Sequence, residues 1–205
     1  LSIKQQIIEI GKIIYEKNLT TGMSGNISFK EANKICITAS GTCLGNLTEE
    51  NIIEIDLDGN QLSDKTQKAS SEKMMHVEIY RQRPEINSVI HAHPPYSTTL
   101  SIKQDYKFLP LLAESVVFLG NIPRIEYEMP STNDLAKTVA AGFADSNAVL
   151  MSNHGGTVVG KNLKETFYTL ETLEFYSQIY LLSGHSEKRA VLNDSQVQDL
   201  KKLIH

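Results

Sequence analysis

Basic charge is scarce in this sequence. Twenty lysines and arginines stand against 24 aspartates and glutamates, giving a formal net charge of -4. The basic residues are scattered, whereas a nucleic-acid surface needs clustered positive charge, so that class is excluded. Cysteine is scarcer still. Cys36 and Cys43 are the only two; they form no CxxC pair, and two cysteines make no disulfide framework. A reducing cytoplasm suits them. No apolar run approaches the roughly 20 residues of a membrane helix. No charged n-region leads into an apolar h-region, so no secretory signal is expected. Internal repeats, low-complexity tracts and linker-like runs are also lacking.

What remains is a chain of 205 residues, 40% hydrophobic and 21% charged, which suits one domain spanning residues 1–205 with a sizeable core. Helical and strand signals alternate, the mark of an α/β or α+β class. Ile3, Ile7, Ile10 and Ile14 recur at helical spacing, and Ser2 with Gln5 makes a capping box, so a helix is predicted over 3–16. Short strands are predicted at 27–29, 34–39 and 52–57, with Asp58-Gly59 as a hairpin turn. A helix follows over 70–83, beginning near Ser71 and limited by Pro84. The stretch "INSVIHAH" reads as a strand halted by Pro94-Pro95. Residues 101–115 favour no single element. Further helices are predicted from Asn133 to Phe143, capped by Ser131 or Thr132, and over 163–183, stopped by Gly184. Between them "NAVLMSNHGGTVVG" reads as two short strands around a turn.

Chemistry is concentrated in a few short stretches. In a strand, residues two apart point to one face, so His91 and His93 project side by side, close enough to ligate one ion through imidazole nitrogens. By itself, HxH more often marks two polar residues at a strand end. His154, in "MSNHGG" after an apolar run, would complete a three-histidine set with an open coordination position; alone it is an ordinary turn residue. His76 reads as helix packing, and His185 and His205 as surface residues. Ser70 and Ser71 lie where a helix begins, with free N–H groups and a dipole that favours anions, though taken alone they are better explained as a plain N-cap. Glu72 follows in the first helical turn, a favourable place for a carboxylate. Two other small-residue turns, with Gly25 and Asn26 in "SGNIS" and Ser40 and Gly41 in "TASGT", could cradle a phosphate through N–H groups and hydroxyls. Neither is specific alone.

The order SGN, SG, SSE, HAH, NHGG resembles the class II aldolase/adducin family over nearly the whole chain, from about Ile7 to Leu182. This resemblance implies a three-layer α/β/α fold around a largely antiparallel central sheet. It implies one divalent metal per subunit held by His91, His93 and His154, usually zinc, with manganese or cobalt in some members. Glu72 matches the family's acid/base, which also sits on the metal when substrate is absent. Gly25, Asn26, Ser40, Gly41, Ser70 and Ser71 match its phosphate pocket. Family enzymes are commonly homotetramers with active sites between subunits. The implied reaction is reversible cleavage of a ketose 1-phosphate, of the L-fuculose or 5-deoxypentulose type, to dihydroxyacetone phosphate and an aldehyde. Epimerases, methylthioribulose 1-phosphate dehydratases and decarboxylases share the motifs, and adducin heads use the fold as non-catalytic interaction modules without the metal ligands. One departure stands out. Fuculose phosphate aldolases carry a tyrosine after HxH that reaches a neighbouring subunit's site, whereas residues 108–123 here contain none. Tyr106 and Tyr127 flank that stretch. Glu114, its only ionisable residue, reads as a surface or interface residue. No aromatic residue follows Tyr180, which leaves the aldehyde end of the site without its family pattern.

Overall fold

The isoleucine stripe at the start of the chain forms α1 (Ile3–Glu16), with Ile7, Ile10 and Ile14 buried and Ser2 and Gln5 closing the capping box. We describe residues 1–62, 64, 66–184 and 189–203 of the chain from a computed structural model. His185 and His205 lie outside the described residues. After α1 come β1 (Asn26–Glu31), β2 (Lys34–Thr38), β3 (Ile52–Asp56), α2 (Lys73–Gln82), β4 (Ser88–Ala92), α3 (Pro95–Ser101) and α4 (Ala113–Leu119). They are followed by β5 (Arg124–Ile125), α5 (Asn133–Gly142), β6 (Ala148–Met151), β7 (Gly155–Gly160), α6 (Leu163–Leu182) and α7 (Asp194–Lys201). The strands form one sheet in the order β3-β2-β1-β4-β7-β6-β5. Every neighbouring pair is antiparallel except β5–β6. This is the expected three-layer α/β/α architecture.

Strand side chains alternate between the two faces of the sheet, and each face has its own core. Ile27, Ile90, Leu150 and Val158 pack with α1, α3 and α6. Ile37, Val89, Val149 and Val159 pack with α2 and α5. The same alternation assigns the polar strand residues. Asn26 and Ser28 flank Ile27, and His91 lies between Ile90 and Ala92, so all three face α2. The register sets Asn26 opposite His91 and His91 opposite Thr157. A buried polar seam therefore runs beneath α2.

Two boundaries differ from expectation. Helix α2 begins at Lys73, which leaves Ser70 and Ser71 in the turn before it and Glu72 at the N-cap. The double proline that ends β4 also starts a helix, with Pro95 inside the first turn of α3, where a missing N–H costs nothing. No local side chain caps α3. Glu174 of α6 does so instead, accepting from the backbone N–H groups of Tyr96 and Ser97 and from the Ser97 hydroxyl. A cap supplied from a distant helix leaves no local signature, which is why α3 is not legible in sequence. Residues 102–112 form a loop leading into α4, and Glu114 is exposed there.

Candidate active site

The residues matched to the metal, acid/base and phosphate sites meet at one end of the sheet. Gly25, Asn26, Ser40, Gly41, Ser70, Ser71, Glu72, His91, His93 and His154 line a single cavity of about 180 Å³. Met23, Ser24, Ala39, Pro130 and Ser131 complete its wall. Sequence reasoning missed this use of Ser131, reading it as one of two possible helix caps. Thr132 caps α5, and Ser131 takes a left-handed conformation with φ 67°. A non-glycine residue at positive φ is uncommon, but only coordinates reveal it.

The three histidines converge from two elements. His91 comes from β4 and His93 is the first residue beyond its end. His154 sits in the tight turn joining β6 to β7, closed by Asn153 at φ 56° and a bond from His154 N to Met151 O. Ring centroids lie 4.8–5.1 Å apart, and the possible ligand atoms all lie within 4.8 Å of one another. Gly155 makes room for this. A Cβ there would stand 2.6 Å from both Ala92 O and His93 Cδ2. At Gly25, φ is 84° and an added Cβ would meet His91 O at 3.0 Å, so the loop can reach β4 only with glycine.

The site fits a divalent cation on its own chemistry. The His91 Nδ1–H donates to Gly156 O at 3.1 Å, with Thr157 Oγ1 at the same distance. This bond to the carbonyl fixes the tautomer and leaves Nε2 as a bare lone pair. Burial and the neighbouring imidazoles hold His91 well below the ordinary histidine pKa. Burial and His154 push His93 down to about 4. Both rings are therefore neutral near pH 7, the form that binds metals. His91 Nε2 and His93 Nε2 stand 3.0 Å apart. Two tetrahedral ligands at about 2.05 Å from one zinc would be roughly 3.3 Å apart, so little movement is needed. Glu72 Oε1, 3.6 Å from His154 Nε2, is buried without a hydrogen-bond partner. Orphaned buried polar atoms are costly, and a cation would satisfy groups of this kind.

Glu72 stands beside the histidines. Its Oε2 accepts from Asn26 Nδ2–H at 2.8 Å and lies 3.5 Å from His91 Nε2, and its Oε1 lies 3.6 Å from His154 Nε2. The opposite wall is built from small residues. Ser40 N donates to Lys68 O, Ser70 N donates to Thr38 O, and Ala39 bridges Ala69. The "TASGT" and "ASSE" turns are thereby zipped side by side. Among the described residues no lysine or arginine lines the cavity, so an anion there would rest on N–H groups and hydroxyls. No tyrosine lines it either. Tyr106 is half-buried and donates to Ile122 O, while Tyr127 is exposed and contacts Met129 Sδ. His76 packs in α2 as expected, but both its ring nitrogens are bonded within the polar seam.

Comparison with known proteins agrees with this geometry. The family model described as Class II Aldolase and Adducin N-terminal domain matches residues 5–181. L-Fuculose phosphate aldolase of Methanocaldococcus jannaschii is 36% identical over 181 residues, covering 88% of this chain and 96% of that protein. 5-Deoxy-D-ribulose 1-phosphate aldolase of Bacillus thuringiensis is 32% identical, covering 97% and 93%. 3-Oxo-tetronate 4-phosphate decarboxylase of Escherichia coli is 30% identical, covering 89% and 88%. Among solved structures, an L-fuculose 1-phosphate aldolase superposes with a TM-score of 0.86 at 28% identity, covering 98% of this chain and 95% of that one. The chain belongs to the class II aldolase and adducin family.

Proposed function

We propose that this protein is a divalent-metal-dependent lyase that cleaves a ketose 1-phosphate reversibly to dihydroxyacetone phosphate and an aldehyde. One observation carries the reading: three converging imidazoles and a carboxylate share a cavity with an uncharged N–H and hydroxyl wall. That pairing suits a substrate with a phosphate at one end and metal-binding oxygens beside it. His91, His93 and His154 would hold the metal, with zinc the ion best matched to three imidazoles, and Glu72 would be its further ligand when substrate is absent. When bound, the metal supplies Lewis-acid stabilisation of the negative charge that develops as the C3–C4 bond breaks.

The chain's own residues do the rest. Backbone and side-chain donors at Gly25, Asn26, Ser40, Gly41, Ser70 and Ser71 bind the phosphate. That remote binding energy positions C2 and C3 at the histidine end. Glu72 delivers a proton to C3 after cleavage and removes it in the reverse direction. The full histidine set and the carboxylate argue for an enzyme over an interaction module. We place it in the cytoplasm, on its free cysteines; among the described residues no helix is long and apolar enough to cross a membrane.

The C4 hydroxyl proton raises a further requirement. Apart from Glu72 and the three histidines, no titratable side chain of the described residues lines the cavity. We infer that a neighbouring subunit completes the aldehyde end, in a homotetramer of the kind common among the family's enzymes. The same observation supports a second reading, decarboxylation of a 3-oxo acid phosphate, because departing carbon dioxide needs no proton acceptor at that position. A product assay separates the two. L-Fuculose 1-phosphate, 5-deoxyribulose 1-phosphate, ribulose 5-phosphate and a 3-oxo-tetronate 4-phosphate would be tested with the metal-loaded protein. Dihydroxyacetone phosphate release supports the aldolase. Carbon dioxide release alone supports the decarboxylase. An isomeric pentulose phosphate alone would overturn both.

A further inference from the structure

The carboxylate of Glu72 ends a hydrogen-bonded chain that starts deep in the core. Glu72, His76 and Tyr80 are spaced by four on one face of α2 and its N-cap, and Asn26 and Ser28 are spaced by two on β1. Four helical residues rise about 6 Å, and two strand residues rise about 6.8 Å. The two ladders interleave with little mismatch. Tyr80 Oη is 2.8 Å from Ser28 Oγ, Ser28 Oγ is 2.7 Å from His76 Nδ1, His76 Nε2 is bonded to Asn26 Oδ1, and Asn26 Nδ2 is 2.8 Å from Glu72 Oε2. All five residues are buried.

The direction of every bond follows from the carboxylate. An ionised Glu72 only accepts, so Asn26 must turn its amide nitrogen toward it. Asn26 Oδ1 then faces His76, so His76 must carry its proton on Nε2. Its Nδ1 can then only accept, so Ser28 donates, and Tyr80 donates to Ser28, with Asn87 O at 3.3 Å as a second acceptor for Tyr80. A neutral imidazole is required for this, and burial, reinforced by His91, lowers the His76 pKa to about 3.

We infer that His76 is a positioning residue: through its Nε2–H tautomer, set by Ser28, it locks the Asn26 amide so that its nitrogen holds the Glu72 carboxylate toward the histidine cluster. The link to turnover rests on the role proposed for Glu72; the link to geometry does not. Apolar residues throughout would fill the same space in the core without desolvating these polar groups. The chain leads to the one carboxylate in the cavity that has an unpartnered oxygen.

Two measurements on the full-length protein test this. Nitrogen-15 NMR of labelled histidine should find His76 protonated on Nε2 in the wild type, with Ser28→Ala admitting the other tautomer. Finding Nδ1–H in the wild type would overturn the inference whether or not any substrate is turned over. Steady-state kinetics then read the coupling. His76→Leu should lower kcat by about 10–100-fold, with KM and metal content within about twofold of wild type. His76→Gln, which keeps a donor for Asn26 Oδ1, should recover most of that loss. Val77→Ala, buried on the same helix but outside the chain, should cost stability without lowering kcat per folded molecule. Equal kcat losses in His76→Leu and Val77→Ala, or none in either, would refute the positioning role. If His76→Leu does not fold, Ser28→Ala replaces it, with a smaller kcat loss expected and an unchanged kcat refuting. If the wild type releases neither dihydroxyacetone phosphate nor carbon dioxide from any substrate, the proposed function fails and the tautomer measurement alone judges the chain.

Discussion

Replacing Gly155 by alanine adds one methyl group, touches no proposed ligand atom, and should still impair the proposed metal centre. The new Cβ would stand 2.6 Å from His93 Cδ2 and 2.6 Å from Ala92 O, where ordinary contact begins at 3.4 Å. Each contact falls short of that by 0.8 Å (3.4 − 2.6), so both must be relieved, by the neighbours or by the residue 155 backbone giving way. Ala92 is held in the β4–β7 ladder, where it faces Gly156, so its contact can be relieved only by shifting the start of β7, while the His93 contact turns the ring away. Metal–ligand distances tolerate only about 0.2 Å. Overpacking of this kind costs about 1–3 kcal/mol, which for a chain of this size lowers Tm by roughly 2–12 °C. Metal affinity should fall by about 10–100-fold, as when a ligand loses its support. Thermal unfolding of metal-free protein reads the first effect, and competition against a chelator reads the second. Wild-type zinc affinity in Gly155→Ala would show that His93 does not ligate from this position, and an unchanged Tm would show that β7 accommodates the methyl freely.

Other predictions follow from the same geometry. Glu72→Gln should keep its metal on three histidines while kcat falls by about 10²–10⁴-fold; full activity would remove Glu72 from the proton transfer. Glu174→Ala should destabilise the protein by about 2–3 kcal/mol, because three donors at the start of α3 lose a charged acceptor, and urea unfolding will measure it; a change under about 0.5 kcal/mol would mean that water caps α3 equally well. Acid should destabilise the metal-free protein early. His76 and His93 titrate at about 3 and about 4 when folded, and His91 is also depressed, against about 6.5 unfolded. The unfolded chain then binds more protons, so stability is complete above about pH 6.5 and is lost as pH falls toward those folded values, by about 1.4 kcal/mol per unit for each histidine. A flat urea midpoint between about pH 6.5 and pH 5 would contradict neutral buried imidazoles.

Much of this was legible in sequence. Local periodicity fixed α1, α5 and α6, because amphipathic spacing and caps act within a few residues. Strand alternation alone put His91 and His93 side by side. The Glu72, His76, Tyr80 stripe was also present as an i, i+4, i+8 pattern. It was opaque because a polar stripe at helical spacing ordinarily marks a solvated face, and nothing local shows that β1 offers matching Asn26 and Ser28.

Residue type and short-range spacing determined the repertoire: imidazoles, one carboxylate, three small-residue turns, and the helices and strands that carry them. Only the tertiary structure decided which of these meet. The register of β1 on β4 and β4 on β7 brought Asn26, His91 and Thr157 into one row, and the pairing of residues 38–40 with 68–70 built the small-residue wall proposed to hold the phosphate. Those contacts join segments tens of residues apart. Their energy comes from burying two cores on opposite faces of one sheet, a quantity that no local stretch of sequence contains.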